Sequence, residues 1–328
     1  MNDTLIAIGE ALIDFIPDKT GCSFDEVGAF SPKLGGAPAN VCGAFAKLGG
    51  KSRLLTQLGD DPFGHKILHE LEACGINVSC VSLTDEANTA LAFVSLGADG
   101  ERTFSFYRKP SADMLYSPEN VRGEYFSDVF ALHFCSVSLG DFPMKQAHIA
   151  AIEKARENGA LISFDPNLRF QLWNDREDLR RTVNEFIPLA NILKISDEEL
   201  EFITGETDIN KALVKLRKHF GKRLCMVIYT CGSGGAYAFT GNGSAFSEGL
   251  KVNAVDTTGA GDGFIGAFLW KLKELDIKTP DAVDWMMEEE MKQCLDFANE
   301  FCARSVQRRG AIASYPTLDE MKTAPQDV

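Results

Sequence analysis

Short apolar runs alternate with longer amphipathic runs along most of this chain, and this alternation constrains the fold more than any other sequence feature. The short runs are rich in β-branched residues and have the length of buried strands. The longer runs have helical periodicity, and three of them begin near a proline suited to a first helical turn, at Pro38, Pro62 and Pro143. Strands that alternate with helices favour an α/β fold, in which helices cover both faces of a mostly parallel sheet.

The bounds of the expected elements follow from these runs. The predicted strands are Thr4–Gly9, Arg53–Leu58, Val129–Phe134, Leu161–Asp165, Ile192–Ile195 and Cys225–Thr230. The predicted helices are Pro38–Leu48, Pro62–Ala73, Pro143–Asn158, Arg176–Ile187, Asp208–His219 and Gly259–Leu275.

Two segments interrupt the alternation. Residues 11–34 contain turns and short apolar pieces without a helical period. Thr89–Tyr107 predicts a hairpin with Ala98-Asp99-Gly100 as its turn. Strands inserted outside the main sheet often form a lid over a cleft, and we expect these two segments to do so. Because no Ser/Pro-rich linker divides the chain, we expect residues 1–328 to form a single domain. Its lid strands would come from about residues 11–34 and 89–110.

The charge balance excludes some classes of partner. Asp and Glu number 47 against 33 Lys and Arg, which gives a formal charge of −14. Such a chain is poorly suited to nonspecific nucleic-acid binding or to an anionic membrane surface. No apolar run approaches the roughly 18–20 residues that span a bilayer, and the N-terminal segment does not resemble a signal peptide. We expect a cytoplasmic protein whose nine scattered cysteines are reduced thiols rather than zinc ligands.

The most informative motif is DTTGAGDGFIGAF at 256–268, which follows a strand-like run and opens an apolar helix. The N–H groups of Gly259, Ala260 and Gly261 would lack intrahelical partners and form an anion site. Asp262 lies where it can accept a proton from a hydroxyl that attacks a phosphoryl group. Alternatively, Asp262 caps its helix. The overlapping GxGxxG pattern of dinucleotide-binding proteins is a weak match, since the carboxylate inside it would repel a pyrophosphate.

A second glycine turn is LGGAPAN at 34–40. Gly35 and Gly36 permit a ligand to approach the backbone closely. Asn40 could bind a polyhydroxylated ligand through its amide, or the segment could be a tight turn with a solvated Asn40. Asp14 lies in an apolar strand, where its carboxylate needs a partner, either sugar hydroxyls or a backbone N–H.

Together, these motifs resemble the ribokinase-like (PfkB) family of carbohydrate kinases. The GGAPAN turn, followed by Gly49 and Gly59, resembles the N-terminal signature of that family, and DTTGAGD at 256–262 resembles its C-terminal signature. The resemblance extends from Ile6 to about Tyr315. It implies a three-layer sandwich in which helices flank a mostly parallel central sheet, with a small β-sheet lid.

Within the family, the sequence is most similar to the fructokinases. The similar segments are FYRKPSADML at 106–115, FDPNLR at 164–169 and KISDEEL at 194–200. This resemblance implies the reaction D-fructose + ATP → D-fructose 6-phosphate + ADP, with Mg²⁺. The 2-keto-3-deoxygluconate kinases share several of these features, so that activity, or another PfkB sugar or nucleoside kinase, is the alternative. Outside this class, the alternatives are an inactive ribokinase-like regulatory protein and a nicotinamide oxidoreductase.

The resemblance also implies roles for individual residues. Asp262 would be the catalytic base, and Gly259, Ala260 and Gly261 would form the anion hole. The implied sugar contacts are Asp14, Gly35, Gly36, Asn40, Arg108 and Arg169. The implied nucleotide contacts are Ser196, Thr230, Gly232, Gly235 and Asn299. The implied metal contacts are Glu199, which acts on Mg²⁺ through water, and a loop for K⁺ formed by Asp256, Thr258, Ser305, Arg308, Gly310 and Ser314.

Two residues depart from the family pattern. Ser196 replaces the Asn of the NxxE motif, and Cys42 replaces a small residue of the first signature. The first change removes an expected polar contact, whereas the second affects packing. The exposed edges of a β lid also favour pairing between subunits, so we expect a homodimer through the lid.

Overall fold

The computed structural model describes residues 2–19, 21–97, 102–220 and 223–323. Its strands are β1 (Thr4–Ile8), β2 (Leu12–Pro17), β3 (Phe30–Gly35), β4 (Lys51–Gly59), β5 (Ile76–Asn77), β6 (Val81–Thr84), β7 (Leu91–Leu96), β8 (Arg102–Tyr107), β9 (Val129–Cys135), β10 (Leu161–Asp165), β11 (Ile192–Ser196), β12 (Met226–Thr230), β13 (Ala236–Thr240) and β14 (Ser244–Ser247). Its helices are α1 (Ala37–Lys47), α2 (Pro62–Ala73), α3 (Pro143–Glu157), α4 (Arg176–Phe186), α5 (Asp197–Thr204), α6 (Ile209–Phe220), α7 (Ala260–Glu274), α8 (Pro280–Asp284), α9 (Glu288–Ser305) and α10 (Leu318–Lys322).

A large sheet forms the centre of the molecule, with the strand order β14-β13-β12-β11-β10-β9-β1-β4-β5 and β6 beside β4. The strands from β12 to β5 pair in parallel, and β13 and β14 add an antiparallel edge. Side chains alternate between the two faces of each strand. Leu5 and Ala7 of β1 pack with α1, α7 and α9, whereas Ile6 and Ile8 pack with α3, α4 and α6. The predicted α/β fold is therefore confirmed.

A second, four-stranded sheet has the order β3-β2-β7-β8. β2 runs antiparallel to β3 and parallel to β7, and β7 runs antiparallel to β8. The predicted hairpin is confirmed as β7 and β8, whereas its turn at Ala98-Asp99-Gly100 lies outside the described residues. The last residue of β3, Gly35, leads directly into α1, so this sheet joins the main body next to the second glycine turn.

Helix starts agree closely with the sequence. Pro62 and Pro143 occupy first turns, and Asp61 accepts the N–H groups of Phe63 and Gly64 to cap α2. The antiparallel edge strands and α9 were not predicted. The acidic run at 288–290 is the first turn of α9, where negative charge complements the helix dipole.

All nine cysteines are free thiols. In the part of the chain that the structure describes, no helix has both the length and the apolar character needed to cross a bilayer.

Candidate active site

Asp262 lies at the meeting point of three elements. It occupies the first turn of α7 and is only 8% exposed. Asn40 Nδ2 of α1 donates to its Oδ2 over 2.9 Å, and Asn167 Nδ2, just beyond β10, donates to its Oδ1 over 3.1 Å. The N-cap residue of α7 is Gly259, so the alternative that Asp262 serves as the N-cap is wrong. The two amides instead fix the orientation of the carboxylate.

The electrostatic surroundings of Asp262 suit proton transfer. Burial and the nearby charge of Asp165 raise the pKa of Asp262, Asn40, Arg169 and Lys194 lower it, and the net result is a pKa of about 6. Such a carboxyl is ionised at neutral pH but is more basic than a solvated aspartate. This combination suits a general base.

The turn before Asp262 leaves no room for a side chain at Gly259. Gly259 is left-handed, with φ of 71°, and a Cβ there would lie 2.7 Å from Tyr315 Oη. The Gly259 carbonyl accepts hydrogen bonds from that hydroxyl and from Gly263 N, each over 2.7 Å. The Ala260 N–H donates to Thr257 O, which lies before the helix, over 3.2 Å, so this N–H has a partner within the turn although it has none within α7.

The second glycine turn brings Asp14 and Asn40 to the same region. A Cβ on Gly35 would lie 2.1 Å from Asp14 Oδ2, so this carboxylate lies against the Gly35 backbone. Gly36 has φ of 108°, and a Cβ there would lie 2.5 Å from the Glu10 carbonyl oxygen. Within the described residues, Asn40 Oδ1 is buried and has no hydrogen-bond partner. This acceptor lies beside Asp262 and can accept a hydroxyl group of a ligand.

Arg108 lies in a buried polar network. It is 6% exposed, pairs with Asp113 and donates to Ser138 Oγ and to Val137 O over 3.3 Å each. Burial would lower the pKa of Arg108, but Asp113 and Glu10 raise it, and the net shift is upward. The predicted sugar-binding residue is therefore flanked by two carboxylates.

Glu10 connects that network to the second glycine turn. Its Oε1 accepts the Ala37 N–H over 3.2 Å, and its Oε2 accepts the Ser138 hydroxyl over 2.7 Å. Burial raises the pKa of Glu10, against the lowering effect of Arg108. The network thus joins the segment after β8 to the first residue of α1.

Arg169 is the other predicted substrate contact, and it follows β10 in the chain. It is half-buried and donates to Leu168 O over 2.8 Å. Its charge lowers the pKa of Asp262, so its guanidinium lies within electrostatic range of the carboxylate.

A cavity of about 650 Å³ opens beside the turn at 259–261. All five predicted nucleotide contacts line it, together with Ala260 and Gly261; these five are Ser196, Thr230, Gly232, Gly235 and Asn299. Apolar side chains, including Leu250 and Phe264, form part of its wall. Asn299 Nδ2 donates to Ser247 O and Oγ over 3.1 and 2.9 Å, so this amide nitrogen positions the end of β14. The cavity has an apolar section and ends at an anion-binding turn, a form that suits a nucleotide.

Glu199 is buried near the same turn. Its Oε2 accepts the Ser196 N–H over 2.8 Å, and its Oε1 accepts the Leu168 N–H over 3.2 Å. Burial and the charge of Asp165 raise the pKa of Glu199. Buried carboxylates with oxygen donors suit Mg²⁺. Among the described residues, no group of three His, Cys, Asp or Glu side chains is arranged to hold a metal, so the ion would depend on waters and phosphates as well.

The residues predicted for a monovalent cation lie close together in the structure. Asp256 Oδ1 accepts the N–H and hydroxyl of Thr258 over 2.9 and 2.6 Å, and its Oδ2 accepts the Gly310 N–H over 2.9 Å. The Arg308 side chain pairs with Glu320 over 2.7 Å, and the Arg308 N–H donates to Ser305 O over 3.0 Å. The other two members, Ser305 and Ser314, share a hydrogen bond of 2.7 Å.

Sequence reasoning missed four residues of the site, which are Glu10, Asp165, Asn167 and Lys194. Asn167 lies in the FDPNLR segment but was given no role, although a polar residue just beyond a buried strand is a recognisable signal. It adopts φ of 44°, an unusual value for a residue other than glycine. Lys194 is a charged residue in an otherwise apolar strand, which also signals a specific partner.

The chain is similar to known proteins over nearly its whole length. The model of the pfkB family carbohydrate kinases matches residues 2–318. Fructokinase-2 of Solanum lycopersicum is 40% identical over 319 residues, which cover 97% of this chain and 95% of that protein. The crystal structure of fructokinase with bound ATP from Xylella fastidiosa has a TM-score of 0.89 and 32% identity, over 98% of this chain and 97% of that one. The fructokinase of Vibrio cholerae O395 in its fructose, ADP and calcium-bound form has a TM-score of 0.83 and 31% identity, over 98% of each chain.

Proposed function

The chain belongs to the pfkB family of carbohydrate kinases, and we propose that it is an ATP-dependent fructokinase that converts D-fructose and ATP to D-fructose 6-phosphate and ADP. One observation carries the proposal. The buried carboxylate of Asp262 lies between the second glycine turn, with its free acceptor on Asn40, and a cavity that ends at an anion-binding turn. A hydroxyl of one ligand and a phosphate of another can meet there.

Asp262 is the general base in this proposal. It takes the proton of the sugar's primary hydroxyl while that oxygen forms a bond to the γ-phosphorus of ATP. The bond from the γ-phosphorus to the bridging oxygen breaks, and its electron pair leaves with ADP. A positioned general base contributes on the order of 10²–10⁴ in rate. The N–H groups of Gly259 and Gly261 donate to phosphoryl oxygens, and each such donor is worth roughly 3–4 kcal/mol.

ATP and a divalent metal ion serve this reaction, and we propose that the ion is Mg²⁺, held near Glu199 through water. When bound, Mg²⁺ neutralises phosphate charge and orients the phosphates. We also propose that the loop containing Asp256 and Gly310 binds K⁺ through backbone oxygens. The contacts within that loop support this proposal, because they bring its residues together next to the anion turn.

The charge around Arg108 favours a neutral sugar over 2-keto-3-deoxygluconate. An acid substrate would need a cation for its carboxylate, and Arg108 and Arg169 are the candidates. Arg108 is already paired with Asp113 and lies near Glu10, so its charge is more than balanced. A substrate carboxylate at this position would meet two carboxylates and one guanidinium, which is unfavourable in a buried site.

We further propose that the four-stranded sheet is a lid on a single domain and that it mediates a homodimer. Asp14 of β2 and Gly35 of β3 belong both to this sheet and to the proposed sugar site, so movement of the sheet would open or close that site. Closure would exclude water and so limit ATP hydrolysis without sugar.

The proposal is tested by ATP consumption over a panel of D-fructose, ribose and 2-keto-3-deoxygluconate. We expect the highest kcat/KM with D-fructose. Equal or better turnover of either other compound would refute the substrate assignment, and no turnover of any sugar, with binding retained, would favour an inactive regulatory protein.

The role of Asp262 is tested by Asp262→Asn, which removes the base with little change of shape. We expect a loss of kcat of about 10²- to 10⁴-fold with sugar binding retained. The matched control is Asp296→Asn on the exposed face of α9, where Asp296 pairs with Lys292 and the kinase activity should not change. Nearly full activity of Asp262→Asn would exclude Asp262 as the base.

A further inference from the structure

Lys194 is a buried cation for which the proposed reaction has no role. It lies on β11 and is 6% exposed, in a strand whose other residues are mostly apolar. Its ammonium nitrogen lies 2.9 Å from Asp165 Oδ2, and this carboxylate is itself buried. Burying both charges has a large desolvation cost, and replacing such a pair by apolar residues is often neutral or stabilising. A purely structural purpose is therefore a weak explanation for this pair.

The ammonium lies directly beside the turn at 259–261. A Cβ built on Gly261 would lie 3.3 Å from Lys194 Nζ. Both residues line the same cavity, together with Ala260. A fixed cation and the N-terminus of α7 therefore meet at one point, where both attract an anion.

Lys194 has unused capacity to donate hydrogen bonds. An ammonium has three N–H donors, and among the described residues the structure pairs it with one acceptor, Asp165. Burial would lower the pKa of Lys194, but Asp165 and Glu199 raise it, so the group stays protonated. Because Lys194 also borders the cavity, its other donors are available to a ligand there.

We propose that Lys194 binds the terminal phosphates of the nucleotide at this turn and balances the charge of the phosphoryl group during its transfer. This inference rests on the proposed function, which puts the phosphates of ATP in the cavity. Lys194 keeps its proton throughout the reaction. The hydroxyl proton passes to Asp262, and the electron pair of the broken P–O bond leaves with ADP. Asp165 accepts one N–H of the ammonium, and the other two remain for the phosphates.

The test compares ligands that differ only in phosphate number. For Lys194→Met, affinities for adenosine, AMP, ADP and ATP are measured by calorimetry in one buffer with Mg²⁺. We expect ATP and ADP to bind about 10- to 100-fold more weakly than to the unaltered protein, as for the loss of a charge-assisted hydrogen bond. The affinity for adenosine should stay within about twofold. An equal loss for all four ligands, or no loss for ATP, would overturn the proposal.

Lys145→Met is the matched control. Lys145 also forms an ion pair of 2.8 Å, with Glu185, but this pair lies on the surface and outside the cavity. All four affinities should be unchanged in this variant. A comparable fall in the ATP affinity of Lys145→Met would show that the effect of Lys194→Met comes from the loss of net charge and not from the loss of the ammonium at the turn.

Two further variants separate phosphate binding from the loss of a buried pair, since Lys194→Met leaves Asp165 without its partner. Asp165→Asn keeps the ammonium, and the double variant Asp165→Asn/Lys194→Met removes both charges. We expect ATP affinity to stay within about threefold in the former and to fall in the latter as in Lys194→Met. If Asp165→Asn alone loses as much ATP affinity as Lys194→Met, the ion pair and not the ammonium is responsible. Thermal unfolding of each variant identifies any that fails to fold.

Failure of this inference is distinguishable from failure of the proposed function. The unaltered protein is first tested for ATP binding and for fructose phosphorylation. The absence of both would contradict the proposed function. Normal results for that protein, with unchanged ATP affinity in Lys194→Met and in the double variant, would reject only the role of Lys194.

Discussion

Asp262 shows how a single carboxyl obtains its properties from distant parts of the chain. Asn40 and Asn167 both donate to its oxygens and so favour the ionised form. Burial and the charge of Asp165 favour the protonated form, and together these effects leave the pKa at about 6. A base of this strength is ionised in neutral solution and still accepts a proton readily.

Removing the amide of Asn40 is expected to change the pH dependence of the reaction. Asn40→Ala removes a hydrogen bond that lowers the pKa of Asp262, so this pKa should rise. Because the base must be ionised to act, the acidic limb of kcat/KM should move to higher pH by about one unit. The measurement is kcat/KM for D-fructose between about pH 5 and pH 9.

This prediction concerns the pH at which the acidic limb lies and not the size of kcat/KM. Asn40 is also a proposed sugar contact, so its loss would lower kcat/KM at every pH. Asn158→Ala, at the exposed end of α3, is the control and should leave the limb in place. An acidic limb in Asn40→Ala that stays where it is, or moves to lower pH, would contradict the hydrogen bond's effect on Asp262.

At the scale of elements, a buried ionic network joins the segment after β8 to the start of α1. Arg108 pairs with Asp113, and Glu10 binds the Ala37 N–H. Ser138 connects the two by accepting from Arg108 and donating to Glu10. The network therefore connects the segment after β8 to the helix that carries Asn40.

Arg108→Ala is expected to destabilise the fold strongly. It leaves two buried carboxylates without their cation, and breaking a buried ion pair typically costs about 3–5 kcal/mol of the free energy of unfolding. The pKa of Glu10 is already raised by burial and should rise further without Arg108. A carboxyl whose folded pKa is raised loses stability as the pH rises through that pKa, so the deficit should shrink on acidification.

Denaturant unfolding at about pH 8 and about pH 5 measures this effect. Arg181→Ala is the control, because Arg181 forms an exposed pair with Asp178 and such pairs contribute about 0–1 kcal/mol. A deficit in Arg108→Ala that equals that of the control, or that grows as the pH falls, would contradict the prediction.

Elements with strong local signals were predictable from sequence. The helix at Pro62–Ala73 and the strand at Leu161–Asp165 have the predicted bounds, because a proline defines the start of the former and a short, mostly apolar run defines the latter. By contrast, Ala236–Thr240 and Ser244–Ser247 form short edge strands whose pairing depends on β12. Their sequence contains little periodicity, so tertiary pairing rather than local pattern determines them.

The candidate site was predictable where its residues lie in contiguous motifs. The two glycine turns identified Asn40 and Asp262, which the fold brings into contact. The nucleotide contacts predicted within residues 230–235 all line one cavity. Asn167 and Lys194 were missed because their partners lie far away in sequence. The hydrogen bond from Asn167 to Asp262 spans 95 positions, and no local pattern encodes such a contact.

At the scale of the whole molecule, the four-stranded sheet carries an exposed aromatic patch, formed by Phe15, Phe24, Phe30, Phe93 and Tyr107. The ring of Phe93 lies at its centre, with ring centroids 4.7 to 6.0 Å from the other four. Phe24 is 48% exposed and Tyr107 is 63% exposed. Exposed apolar patches of this kind often mark contacts between proteins.

The aromatic patch is the surface through which the proposed homodimer would form. Phe24→Lys/Tyr107→Lys places two charges in the centre of that contact, and charged residues are depleted there in stable interfaces. We expect the dissociation constant of the dimer, measured by sedimentation, to be at least about tenfold higher in this variant than in the unaltered protein. Trp285→Lys is the control, because Trp285 is 72% exposed but lies outside this sheet. A dimer that persists in the double lysine variant but dissociates in Trp285→Lys would place the interface elsewhere, whereas an unaltered protein that is monomeric at all concentrations would exclude the dimer.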